Sequence, residues 1–372
     1  MRSIPRTLIQ IIVILTILAS LFLVHTNSRS SILIKEVIYV GGTALALLAA
    51  ALGILIEGRI PSARLSRSLI VSFALLIIWM IFRHYSGIQS VNAIKYMYST
   101  VALGGLAFLI AATFTENARD ALLWILVGAA SVLSLYAVLQ SMGIIIFKWD
   151  AGLTLAARSS GTMGNANLLG SFSMAMLPVG AGFILSRSKL SRFRIVSAAA
   201  FALLCTSAML ASKTRGSLIG LFAVAVFLLF VPFIRKSARI FLPLLLVFLI
   251  LIGGSVLFLG NRMDELTSTE TGTLQVRKLI WSSTLSMVLS NPVLGYGPGS
   301  FQIVFPQFRN PDYFLLGVSH NTLHAHCEYL EILVDTGIIG LLLWLSIAYF
   351  IFRIVYRKRN SDNHDSDSTD DK

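Results

Sequence analysis

Residues 121–143, ALLWILVGAASVLSLYAVLQSMG, decide what kind of chain this is. The stretch holds no charged side chain in 23 residues. A helix of that length rises about 34 Å, enough to cross the roughly 30 Å hydrocarbon core of a bilayer. Working outward, comparable apolar runs occur at about 8–24, 36–56, 68–82, 95–114, 167–185, 194–211, 216–234, 239–260 and 331–352, ten with the first. The whole composition agrees, with 56% hydrophobic residues, 13% charged residues and a mean hydropathy of +0.81. The expectation is an all-α, polytopic integral membrane protein with about ten transmembrane helices. The run at 8–24 is long for the apolar part of a signal peptide, and the HTNSRS that follows offers no small-x-small cleavage site, so it is read as a retained helix.

Positive charge sets the orientation, because Lys and Arg accumulate on the cytoplasmic side of membrane spans. With the N-terminus inside, the inner segments collect Arg2 and Arg6, the cluster Arg59 to Arg67, Arg119, the clusters Arg187 to Arg194 and Arg235 to Arg239, and Arg353 to Lys372. Together these hold 18 of the 30 basic residues. Both termini are therefore expected in the cytoplasm. The organisation read from the sequence is a nine-helix transmembrane region at 1–260, a large extracytoplasmic loop at 261–330, a last transmembrane helix at 331–354 and a disordered, acidic cytoplasmic tail at 355–372.

The net charge of +13 does not point to nucleic acid, since the inner charges sit in short clusters beside helix ends, as anionic lipid headgroups favour. Membrane lipids are the partners this pattern implies. Cys205 lies inside an apolar span and Cys327 at the mouth of the last one, so no disulfide between them is expected. No H-E-x-x-H, no cysteine pair at zinc spacing and no acidic triplet able to hold a metal diphosphate occurs in the outer segments, so neither metal nor cofactor is expected. Asp335 is read as the one clear ionisable group within a span, which argues against an ion-coupled transporter and moves the chemistry to the outer surface.

In the loop, TLQVRKLIWSSTLSMVLSNP (273–292) reads as a helix ended by Asn291-Pro292, with Leu274, Leu279, Ile280, Trp281, Leu285 and Val288 offering apolar surface to the membrane interface. The GYGPGSF that follows (295–301) has alternate glycines but no βαβ surroundings and is read as a tight turn. Residues 324–340 read HAHCEYLEILVDTGIIG. If they are helical from His326 onward, Gly337 returns to within about 20° of His326, placing two glycines below the histidine for close approach of another helix. The outer connection ASKTRG (211–216) adds Lys213 and Arg215, and the topology gathers Arg215, Arg277 and His326 on one side of the membrane.

His326-Cys327, nine residues, then Gly337-Ile338-Ile339-Gly340 resembles the H-[NSQ]-x9-G-x-x-G motif of the O-antigen ligase and polymerase superfamily, with Cys327 replacing the usual Asn, Ser or Gln. The order of the other parts is similar too: GTMGNANLLG (161–170), TRG (214–216), Arg277 followed by Trp281-x-x-x-Leu285, and NPVLGYGPGSFQ (291–302). What the resemblance implies is a GT-C-like, metal-independent membrane glycosyltransferase in cell-envelope polysaccharide assembly. Such an enzyme moves a saccharide from undecaprenyl diphosphate to a hydroxyl of a lipid or glycan acceptor on the outer face of the plasma membrane. By the same resemblance the loop 261–330 is catalytic, His326 matches the catalytic histidine, and Arg215 and Arg277 match two functional arginines. Lys213, His324 and Glu328, read from their places beside these residues, are further candidates for substrate contact.

Elementary chemistry suits those roles. An imidazole at a helix N-terminus is held neutral by the dipole and serves as a general base, and guanidinium forks offset the charge of a departing diphosphate. A repeat-unit polymerase of the same superfamily uses the same donor chemistry, and a small-anion or bicarbonate transporter is the alternative from another class.

Overall fold

The computed structural model describes residues 4–24, 31–57, 66–147, 158–186, 191–214, 216–217, 219–223, 263–315 and 322–367. Among these there is no strand. The helices are α1 (Ile4–Phe22), α2 (Ser31–Glu57), α3 (Arg67–Ser86), α4 (Val91–Thr113), α5 (Glu116–Ser141), α6 (Ala166–Leu185), α7 (Arg192–Ser212), α8 (Met263–Ser290), α9 (Phe301–Phe308), α10 (Asp312–Leu315) and α11 (Glu328–Asp367). Seven of the described helices are long and apolar enough to cross a membrane, and the apolar part of α1, Arg6–Phe22, is shorter. The protein is thus an all-helical, multi-pass membrane protein. The expected span at 239–260 and most of that at 216–234 lie outside the described residues.

Helix starts follow their capping residues. Ser66, Thr115 and Ser191 each accept a hydrogen bond from the backbone N–H three positions on, at 3.2 to 3.3 Å. Asn165 accepts from Asn167 N at 2.8 Å and starts α6.

The chain forms two compact units. The first comprises Met1–Gly58 and Thr113–Met263. In it α1 packs on α2 and α6 on α7, with α5 against α7. Several of its polar groups are tied down locally. Gln140 Oε1 accepts from the N–H groups of Ser160 and Gly161 at 3.0 and 2.9 Å. Arg158 donates to Ser212 O at 3.0 Å and to Asn167 Oδ1 at 2.8 Å. Lys35 is buried in α2 and donates to the carbonyls of Ser20 and Leu21 at 2.7 and 3.1 Å. Asp335 is therefore not alone among ionisable groups within the described spans. The lysine serves as a cap for the C-terminal turn of α1, where orphan carbonyls need donors.

The second unit comprises Arg59–Ala112 and Asp264–Lys372. The units thus cut across the sequence order, because α3 and α4 join the 263–315 segment and α11. α3 packs along α11. The segment read as a loop has a core of its own, in which Ile280, Met287, Phe301, Val304, Phe305 and Tyr313 are buried with Ala325 and Val334. Consequently the apolar face of α8 is divided: Ile280 and Val288 are buried in this core, while Trp281 and Leu285 remain exposed. α8 also starts ten residues before the expected Thr273 and ends, as its Asn291-Pro292 signal requires, at Ser290. α11 continues to Asp367, so residues 355–367, expected as a disordered tail, are helical. Nothing in the sequence stops the helix there, and adding residues to an existing helix is far easier than nucleating one.

Candidate active site

The site is built around a break in α11. Gly337 has φ 67° and ψ −172°, a conformation open almost only to glycine, so the helix is interrupted and its carbonyls turn outward. The segment after α8 takes up the freed groups. Tyr296 N donates to Val334 O at 2.7 Å, Gly297 N to Asp335 O at 2.8 Å, and Ile338 N to Pro292 O at 2.9 Å. Trp79 Nε1 caps Thr336 O at 2.9 Å. A Cβ on Gly337 would overlap the Val293 carbonyl. The motif glycine thus admits a loop backbone, which corrects the expectation of a glycine strip for a neighbouring helix.

The GYGPGSF stretch is a turn, as read, and it has a second role. Gly299 has φ 67°, and its N–H donates to Asp335 Oδ2 at 2.7 Å, while Ser300 Oγ donates to Oδ1 at 3.3 Å. Arg83 clamps the other side of the turn, donating through Nε to Leu294 O and through Nη2 to Gly295 O, both at 2.8 Å. Asp335 and Arg83 are both buried. The in-span carboxylate is therefore a docking group for the turn.

On this frame lies the loop Thr322–Cys327. α11 begins at Glu328, so His326 precedes the helix, and its φ of 53° is left-handed. This replaces the expected helical register, in which His326 and Gly337 shared a face. A non-glycine residue in that region costs roughly 1–2 kcal/mol, and such strain persists where neighbours hold it. They do so at Ala325. Trp281 Nε1 donates to Ala325 O at 3.0 Å, and Ala325 N donates to Glu331 Oε2 at 3.1 Å. Glu331 Oε1 pairs with His324 Nδ1 at 2.8 Å and accepts from Tyr96 Oη at 3.1 Å.

Electrostatics separate the two histidines. Partial desolvation holds the His326 imidazole below its ordinary pKa, and the Arg277 guanidinium and His324 push it the same way, against Glu331. His324 is raised, chiefly by its hydrogen bond to Glu331. Two rings shifted in opposite directions thus stand two residues apart. Arg277 lies one helical turn before Trp281, so one face of α8 presents the cation and the indole to the same loop.

Beside this loop a cavity of about 370 Å3 opens between α3, α4 and α11. Tyr96, Thr100, Glu328, Glu331 and Asp335 line its polar part, and Phe73, Leu76, Met80, Leu103, Trp344 and Ile347 its apolar part.

Of the residues singled out in the sequence, His326, His324, Glu328 and Arg277 belong to this second unit, and Arg277 and His324 both act electrostatically on His326. Lys213 belongs to the first unit, as the exposed left-handed C-cap of α7. Arg215 lies outside the described residues. Sequence reasoning missed Tyr96 and Arg83 altogether. It placed Trp281 in the motif order and at the membrane interface but gave it no hydrogen bond, although its spacing of four from Arg277 marks a shared face. Among the described residues no group of His, Cys, Asp and Glu is arranged to hold a metal ion. Residues 198–345 match the protein family described as O-Antigen ligase. No curated protein matches the chain.

Proposed function

We propose, from the match of residues 198–345 to the O-Antigen ligase family, that the chain transfers a saccharide from undecaprenyl diphosphate to an acceptor hydroxyl on the outer face of the plasma membrane. The observation that carries this reading is the setting of His326 at the mouth of α11, where desolvation and the Arg277 guanidinium hold its imidazole below its ordinary pKa. His326 takes the proton of the acceptor hydroxyl. The acceptor oxygen forms the new bond to the anomeric carbon, while the bond from that carbon to the diphosphate oxygen breaks. The electron pair leaves with the carrier diphosphate, and Arg277 offsets its charge through its guanidinium fork. The cavity suits the acceptor: its carboxylates repel a diphosphate, whereas Glu328, Tyr96 and Thr100 hydrogen-bond to hydroxyls. Chemistry of this kind needs no metal.

Purified protein in bilayer discs, supplied with lipid-linked saccharide extracted from the source cells, tests the assignment. His326→Ala is expected to abolish transfer with the protein still folded, and His324→Ala to be mild by comparison. Near-normal transfer by His326→Ala, or activity lost in EDTA and restored by magnesium, overturns the mechanism. Arg277→Lys is expected to lose nearly as much donor turnover as the alanine variant, since lysine keeps the charge but loses the planar fork. Product length separates ligase from polymerase, a single transferred unit for one and a ladder for the other.

A further inference from the structure

Glu331 has no place in the proton transfer just described, yet it bonds both to the ring of His324 and to the backbone of Ala325. Its carboxylate accepts from three donors: Ala325 N and His324 Nδ1 on the loop, and Tyr96 Oη on α4. With 12% of the side chain exposed, these bonds are largely shielded from water. Trp281 grips the same residue from the opposite side through Ala325 O. Both peptide planes of Ala325 are thereby fixed, and the second carries the backbone N of His326. We propose that Glu331 and Trp281 form a two-sided clamp on Ala325, with Glu331 the positioning residue that holds His326 in its left-handed, base-competent orientation. The proposal rests on the reading of His326 as the base.

A carboxylate suits this position for a countable reason. Three donors converge on it, and only acceptor oxygens satisfy them all. A glutamine of the same shape keeps the Ala325 N–H bond only by turning its NH2 to His324 Nδ1 and Tyr96 Oη, which forces the Nε2–H tautomer on His324 and removes the charge from the pair, so the His324 side of the clamp weakens. An aspartate is one methylene short. The ionisable groups around Glu331 are Tyr96 on α4, His324 and His326 on the loop, Arg277 on α8, and Glu328 and Asp335 on its own helix. Arg277 acts on His326 and pairs with none of the carboxylates through a salt bridge among the described residues.

The test measures kcat and donor KM in bilayer discs with lipid-linked saccharide extracted from the source cells, beside His326→Ala as control. Glu331→Gln is expected to lower kcat by about 30- to 100-fold, the scale on which small misplacement of a reacting group acts, with donor KM within about twofold. Trp281→Phe, which keeps the ring and loses the N–H, is expected to lower kcat in the same sense by about 3- to 10-fold, so the clamp stays testable if Glu331→Gln folds poorly. Histidine labelled at 13Cε1 gives a second readout. In Glu331→Gln the His324 signal is expected to titrate at lower pH, and the His326 signal to broaden as its ring samples several orientations. Wild-type kcat in either variant while His326→Ala is inactive overturns the clamp, as does a rise in KM with kcat unchanged. Activity in His326→Ala overturns the base itself, a separate failure.

Discussion

His326 at φ 53° and Gly337 at φ 67° both have a positive φ, for opposite reasons. At His326 a side chain is needed and the strain is tolerated, because Ala325 is gripped on both sides. At Gly337 no side chain fits. Gly337→Ala is therefore expected to destabilise the protein by about 3 kcal/mol or more, from backbone strain and overlap with Val293 O together. Gly340→Ala also overlaps the Thr336 side chain but carries no positive-φ strain, and is expected to cost less in the same thermal unfolding measurement. The pH dependence follows from the same residues. If neutral His326 is the base, turnover falls as pH drops through its pKa, and desolvation and Arg277 keep that limb below the ordinary histidine value of 6.5. Arg277→Gln removes one depressing charge, so the acid limb of kcat at saturating donor is expected to move to higher pH. An unmoved limb assigns it to another group.

Among the elements, the break in α11 ties three segments together, and Asp335 is its anchor. Asp335→Ala leaves the N–H of Gly299 and the hydroxyl of Ser300 without their acceptor, and is expected to cost about 2–3 kcal/mol. Faster proteolysis within 291–300 checks this, and wild-type protection would mean that Arg83 alone holds the turn. The His324–Glu331 pair adds a pH-dependent contribution. Its raised folded pKa means that the stability it supplies is fully present below the unfolded value near 6.5 and is lost as pH rises through the folded value. His324→Gln is thus expected to lower the melting temperature at pH 5.5 and hardly at all at pH 8.5. The effect is small, because 56% of the His324 side chain is exposed.

For the whole molecule, the charge bias makes a checkable statement about sidedness. In intact cells a membrane-impermeant maleimide is expected to react with Cys327, which is half-buried, and not with a Ser361→Cys, Cys327→Ser variant until the membrane is opened. The reverse pattern would invert the topology. The sequence by itself determined the multi-pass helical architecture, most helix ends and the identity of His326 as the residue to examine. Hydropathy, capping residues and motif spacing are local properties, legible over a few turns of chain. Only the tertiary structure decided which polar groups meet. Tyr96 reaches Glu331 across 235 residues of sequence, and Arg83 reaches Gly295 across 212. Such pairings leave no period to read. The spacing of the histidine motif was visible, but its geometry was not. The register of a helix starting at His326 fails because Glu331, Trp281 and the 291–300 turn bond to the backbone on both sides of that start, and these long-range bonds outweigh the small local preference for continuing the helix.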